Sequence, residues 1–311
     1  MQIRKTNAEK FLETLESRAL IVYSNSSIAN VKFNTSKHCM LNIKNIGKNV
    51  KDIEDFILKH KDFDEIVAVG GGSVIDVAKQ MAFKLNKHLT VIMSMLSTNA
   101  FSTNKSCLIV DGEKITLDAK EPDVLIFDEK LLSKAQEMNF WGLCDVLSIH
   151  TALFDWKIAN QQIGELFTKY FDVAMKLLKK TERFIKKNYK NLENKLWKEF
   201  KLIRISGEIT NKHGSGRPES GSEHIFAKLL EKEIPNLPHG LAVINGILIM
   251  SKLQNNIDVE IEQIAKLFDV AKWNEKYGIT DDLLNKALKE VKPRTDRFTI
   301  IDLVKKEEEV G

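Results

Sequence analysis

Only three cysteines, Cys39, Cys107 and Cys144, occur in the 311 residues of this chain. Scattered and odd in number, they form neither a disulfide framework nor a CxxC metal knuckle, so a reducing compartment is expected. Proline and glycine are also scarce, at 5 and 15 residues, which excludes collagen-like and low-complexity chains. Long apolar runs are missing too. The longest, Leu241 to Met250, is interrupted by Asn245 and Gly246 and is too short to span a bilayer. The opening MQIRKTNAEKF lacks the apolar core of a secretory signal. A cytoplasmic protein without a membrane partner is the expectation. A strong excess of one charge is absent as well: 47 Lys and Arg against 43 Asp and Glu give +4, too slight to argue for nucleic acid. A small anionic substrate would need only a local basic pocket.

What is present is a globular composition, 43% hydrophobic and 29% charged, with enough length for one large or two ordinary domains. The first part alternates apolar runs with amphipathic stretches. ALIVYS from Ala19, MLNI from Met40, EIVAVG from Glu65, LTVIMS from Leu89 and VLIFD from Val124 read as buried strands. VKDIEDFILKH and SVIDVAKQMAFKL, lying between them, have helical spacing. Strands alternating with helices predict a parallel sheet with right-handed crossovers. From about Lys130 the strand signal fades. IGELFTKYFDVAMKLLKKTERFIKKNY and LENKLWKEFKLIRISGEI read as long helices. The expected organisation is an α/β nucleotide-binding domain over residues 1–138 and an all-helical domain over 139–311.

Gly70, Gly71 and Gly72 separate the strand EIVAV from a helix opening at Ser73. Such a turn leaves no side chain between its N–H groups and an anion, and the following helix points its positive end there. A pyrophosphate suits that spot; a plain tight turn is the competing reading. The GxGxxG fingerprint is absent.

Asp145, after Gly142-Leu143-Cys144, precedes an apolar-periodic helix and by local rules could be its N-cap. His224 and His239 are each more often surface or satisfied residues when met alone. Together with Asp145 they are a chemically sensible set for a catalytic divalent ion, with a coordination position left for substrate oxygen. Spacing alone does not establish a shared site.

GGGSVIDVAK (Gly70 to Lys79) resembles the cofactor signature of the superfamily of iron-type alcohol dehydrogenases, glycerol-1-phosphate dehydrogenases and dehydroquinate synthases. Four further stretches are similar to glycerol-1-phosphate dehydrogenases: GLCD ending at Asp145, TALFDW from Thr151, RPESGSEH from Arg217 to His224, and His239-Gly240. RTDRFTIID (Arg294 to Asp302) is similar to that family's closing stretch. The resemblance runs from about Glu65 to the C-terminus. It implies a dehydroquinate synthase-like fold, an α/β domain followed by a helical one, and a homo-oligomer. It also implies that Asp145, His224 and His239 are both the metal ligands and the catalytic set.

The resemblance further implies an NAD or NADP cofactor bound by Gly70, Gly71, Gly72, Ser73 and Asp76, with Ser97 and Thr98 near the nicotinamide ribose. Zinc is the ion it favours; nickel and iron suit the same donors. Asn99 stands where the family has an acidic residue. With Lys105 and Arg217 it is a candidate for contact with a small phosphorylated substrate, a structural salt bridge being the other reading for Arg217. The expected activity is reduction of dihydroxyacetone phosphate, or a similar hydroxyketone phosphate, to glycerol 1-phosphate. The alternatives are a dehydroquinate synthase-like cyclase, an iron-type alcohol dehydrogenase acting on unphosphorylated substrates, and a ligand-binding relative without turnover.

Overall fold

The computed structural model describes residues 1–310, with side chains through residue 306. The chain divides into two compact units, Met1–Asn139 and Phe140–Gly311.

The first unit contains the strands β1 (Gln2–Lys5), β2 (Ala19–Tyr23), β3 (Cys39–Asn42), β4 (Glu65–Gly70), β5 (His88–Met93), β6 (Lys105–Val110), β7 (Glu113–Asp118) and β8 (Val124–Phe127). Its helices are α1 (Ala8–Glu13), α2 (Asn25–Ile28), α3 (Val50–Lys59), α4 (Gly72–Leu85), α5 (Glu129–Leu132) and α6 (Gln136–Asn139). Six strands form one parallel sheet in the order β1-β8-β5-β4-β2-β3. Its inner strands are buried almost throughout, as parallel strands covered on both faces must be, which is why they read as unbroken apolar runs. β6 and β7 make a separate antiparallel hairpin that the apolar pattern does not announce. Asp111 and Gly112 turn it with φ of 51° and 83°, the paired positive angles that match strand twist in a two-residue loop.

Parallel pairing puts the carboxyl ends of β4 and β5 side by side, with Gly70 opposite Met93. The glycine turn and the segment after β5 therefore share one edge, and the Ser94 N–H donates to the Gly70 carbonyl at 3.1 Å.

The second unit contains α7 (Trp141–Leu147), α8 (Ile149–Ile163), α9 (Tyr170–Asn188), α10 (Leu196–His213), α11 (Ser222–Glu233), α12 (His239–Leu253), α13 (Val259–Leu267), α14 (Val270–Tyr277), α15 (Asp281–Glu290) and α16 (Ile300–Val310). No strand occurs in it among the described residues. The single helix expected from Ile163 to Tyr189 is broken. Gly164 takes φ of 71° and caps α8, and the chain becomes helical again only at Tyr170. A left-handed glycine cap ends a helix whatever the periodicity beyond it. Likewise Leu192 to Lys195 form a 3₁₀ turn, and α10 begins after them.

Glu199, in the first turn of α10, is 1% exposed, and its Oε2 has no hydrogen-bond partner. Burial first, and then the charge of Glu193, push its carboxyl up to about 8. A raised folded-state value means the group's contribution to stability is intact below its unfolded value of 4.5 and is lost as pH rises through 8. Glu199→Gln should therefore be more stable than the parent at pH 9, by an amount on the order of 3 kcal/mol, and much closer to it at pH 5. Denaturant unfolding at the two pH values checks this; parallel curves for the two proteins would refute it.

Candidate metal centre

Asp145 is not an N-cap. Helix α7 already begins at Trp141, so Asp145 lies inside it, 5% exposed. His224 sits in the first turn of α11, and His239 opens α12 directly after Pro238. These helices bring three residues, distant in sequence, to one point. Asp145 Oδ1 is 3.2 Å from His224 Nε2 and 3.4 Å from His239 Nε2. One potential ligand atom from each residue lies within 4.8 Å of the other two. The imidazole centroids are 5.4 Å apart, with the rings inclined at 47°.

Missing side chains make this convergence possible. A Cβ on Gly240 would lie 2.2 Å from the Trp141 carbonyl oxygen, so only glycine lets α12 approach α7 this closely. A Cβ on Gly221 would lie 2.4 Å from Asp155 Oδ2, and one on Gly246 would lie 2.5 Å from the Glu223 carbonyl oxygen. Asp155, from the TALFDW segment of α8, is fully buried and works as a fastener. Its Oδ2 accepts from the Ser222 N–H at 2.6 Å, seating the start of α11. Its Oδ1 accepts from the Ile300 N–H and from Gln254 Nε2, both at 2.9 Å. The closing stretch explains itself in the same way: the Thr299 N–H and hydroxyl both donate to Asp302 Oδ2, at 2.8 and 3.1 Å, at the start of α16, and Ile300 lies between the two.

Electrostatics favour charged forms at the centre. Burial pushes the Asp145 carboxyl up, but hydrogen bonds from His224 and His239 overcome this and hold it well below the usual carboxylate range. Burial pulls His239 down, yet the Glu231 and Asp145 carboxylates beside it raise it to about 10. His224 is raised against burial by Asp145 and Glu223.

Arg217 makes the internal salt bridge that was its other reading. It is 3% exposed, and Nε and Nη2 grip the Glu165 carboxylate at 2.9 and 3.0 Å. Nη2 also donates to the Asp155 and Phe298 carbonyls, and Nη1 is sealed from solvent.

In the α/β unit the glycine turn is tightly built. Added Cβ atoms would lie 2.5 Å from the Val74 side chain at Gly70, 2.9 Å from Met95 Sδ at Gly71 and 3.1 Å from Thr98 Oγ1 at Gly72. The turn is thus beside Thr98, with Ser97 next to it and Ser73 exposed in the first turn of α4. No side chain caps that helix. Asp76, on α4, is buried, accepting from Lys48 Nζ at 3.3 Å and lying 3.8 Å from Lys79 Nζ. Sequence reasoning gave no part to Lys79. Fully buried, it donates to the Ala100 carbonyl at 2.8 Å, to Thr103 Oγ1 at 3.1 Å and to the Lys105 carbonyl. It thereby pins the 3₁₀ turn Asn99–Ser102, in which half-buried Asn99 is the first residue. Burial lowers its ammonium to about 8. Lys105 pairs with Asp118 across the hairpin.

Residues 14–135 match the family model of iron-containing alcohol dehydrogenases. A glycerol-1-phosphate dehydrogenase (NAD(P)+) of Methanoregula boonei is 30% identical over 258 residues, covering 81% of this chain and 71% of the relative. The chain belongs to the glycerol-1-phosphate dehydrogenase family. A second such enzyme, from Sulfolobus acidocaldarius, is 30% identical over 253 residues, covering 80% of this chain and 72% of its own. Among solved structures, a probable glycerol dehydrogenase from Sinorhizobium meliloti superposes with a TM-score of 0.68 at 17% identity, covering 96% of this chain and 91% of its own. An iron-containing alcohol dehydrogenase from Thermotoga maritima gives 0.65 at 15%, covering 98% and 97%. These two share the fold of this glycerol-1-phosphate dehydrogenase family member, and membership places the chain among oxidoreductases.

Proposed function

We propose that the protein is a metal-dependent, NAD(P)-linked dehydrogenase that reduces dihydroxyacetone phosphate, or a similar hydroxyketone phosphate, to glycerol 1-phosphate. The observation that carries this reading is the convergence of Asp145, His224 and His239. Two of the three donor separations match those of a tetrahedral ion. Zinc with ligand distances of roughly 2.0–2.1 Å needs donors about 3.3 Å apart. Asp145 Oδ1 meets the two histidine Nε2 atoms at 3.2 and 3.4 Å. Hydrogen bonds alone would also suit those lengths. The partners on the far side of each ring favour the ion: both Nδ1 atoms are engaged by carboxylates at 2.7 Å, an arrangement typical of metal-bound imidazole.

A divalent cation bound there supplies Lewis acidity toward a carbonyl oxygen. Asp145, His224 and His239 hold it, and zinc is the proposed ion. Gly70, Gly71, Gly72 and Ser73 bind the cofactor pyrophosphate through backbone N–H groups, a role supported by the uncapped start of α4. Ser97 and Thr98 orient the nicotinamide ribose. Asn99 and Lys105 serve the substrate, Asn99 without the charge of the acid usual at that place. The free thiols of Cys39, Cys107 and Cys144 support a cytoplasmic setting. Among the described residues, no helix is long and apolar enough to cross a membrane. The exposed apolar side chains of Ile163, Leu166 and Phe167 support self-association.

Elemental analysis combined with NADH and NADPH oxidation tests the proposal. One divalent ion per chain is expected, with cofactor consumed in step with dihydroxyacetone phosphate. Dihydroxyacetone should be a far poorer substrate. Equal kcat/KM for the two ketones would point to an unphosphorylated substrate. Phosphate release without net change in NADH would instead reveal a cyclase.

A further inference from the structure

We infer that Glu223 and Glu231 are positioning residues that fix which nitrogen each histidine presents to the cation, both of them supplied by helix α11. This rests on the metal reading above. A neutral imidazole carries one N–H and one lone pair, and either nitrogen can bear the proton. A carboxylate only accepts hydrogen bonds, so a ring held by one must place its N–H on that side. His224 Nδ1 donates to Glu223 Oε1 at 2.7 Å, and His239 Nδ1 donates to Glu231 Oε1 at 2.7 Å. With the cation in place, both lone pairs are then left on Nε2, the atoms that face Asp145 at 3.2 and 3.4 Å; without it, those nitrogens carry the protons that Asp145 accepts.

The two carboxylates are set in different ways. Glu223 is fully buried and locked by the chain itself: Oε1 accepts from the Gly221 N–H at 2.7 Å, and Oε2 from the Thr151 hydroxyl at 2.6 Å. Glu231 lies about two helical turns beyond His224, so the two occupy one face of α11. It reaches across to the first residue of α12, and its side chain is 10% exposed. The spacing between Glu231 and His239 therefore depends on how closely α11 and α12 pack. Gly246 permits that closeness, since a Cβ there would lie 2.5 Å from the Glu223 carbonyl oxygen. One helix thus provides a ligand and the orienting groups for both imidazoles.

The test titrates the metal-free full chain with zinc against a chromophoric chelator, for the parent and for Glu231→Gln. Removing an orienting carboxylate should weaken zinc binding about 10–100-fold. The visible spectrum of the cobalt-loaded variant should shift relative to the parent, while the far-UV circular dichroism of the two metal-free proteins stays alike. Parent-like zinc affinity together with an unchanged cobalt spectrum overturns the inference. Should Glu231→Gln fail to fold, ¹⁵N NMR of the zinc-loaded parent decides: protonated Nδ1 and coordinated Nε2 on both histidines support the assignment, and coordination through Nδ1 on either overturns it. A parent that binds no zinc defeats the metal reading itself, an outcome seen before any variant is made.

Discussion

Asp145→Asn should strip the protein of its metal, leaving less than about a tenth of an equivalent bound, and lower kcat/KM by roughly a thousandfold or more. The substitution keeps the shape of the side chain and deletes its charge. Asp145 Oδ1 is the atom both imidazole Nε2 groups face, so its charge is shared by the whole cluster. An amide oxygen is a weak substitute as a ligand, and the Lewis-acid contribution lost with the ion is worth several kcal/mol. At about 1.4 kcal/mol per decade, that accounts for the expected fall in rate. The fold should survive, because the helix holding Asp145 is anchored by Trp141, Leu143, Val146 and Leu147, all buried. Metal analysis and steady-state rates on the folded variant provide the check. Full metal content with a rate within tenfold of the parent would remove Asp145 from the ligand set.

Gly240→Ala should be nearly as damaging by a different route. The new methyl would meet the Trp141 carbonyl oxygen at 2.2 Å, a backbone atom one helical turn before Asp145. Neither partner is the loose end of a side chain, so α12 itself must move. Overpacking of this kind costs about 3 kcal/mol at its upper end. For a chain of this size that lowers Tm by roughly 5 °C. The same movement carries His239 away from Asp145, so zinc affinity should fall along with stability. Calorimetry and zinc titration of one sample measure both. An unchanged Tm would mean that α7 and α12 do not pack as described.

How much of this was readable in the amino-acid order varies by element. ALIVY, EIVAV and VLIF announce themselves because a sheet buried on both faces demands apolar residues at every position. β1, by contrast, is QIRK, a short and mostly exposed edge strand whose polarity hides it. The hairpin of β6 and β7 did carry a signal, Asp111-Gly112, but its flanking residues are only partly buried and do not stand out as apolar runs. Helical periodicity survived across Gly164, so the break there was visible only in one residue's freedom to take positive φ.

The candidate metal centre divides along the same line. Side chains with their own chemistry, Asp145, His224 and His239, could be named from motifs, although only packing shows that they meet. Glu231 could not be found, because its histidine begins the next helix and no spacing rule links the two. Asp76 and Arg217 are charged residues within motifs, and their burial and internal ion pairs with Lys48 and Glu165 could not be read from spacing. Lys79 belongs to the same class: a charge inside a signature that fastens a loop.

The hold that Asp155 has on Ile300 ties two distant stretches of the helical unit together. Ser222 and Gln254 lie well before residue 300 in the sequence, but the third donor to this buried carboxylate is the Ile300 N–H. A fragment cut before residue 299 would leave Asp155 Oδ1 with one donor instead of two, so losing α16 should also loosen the seat of α11.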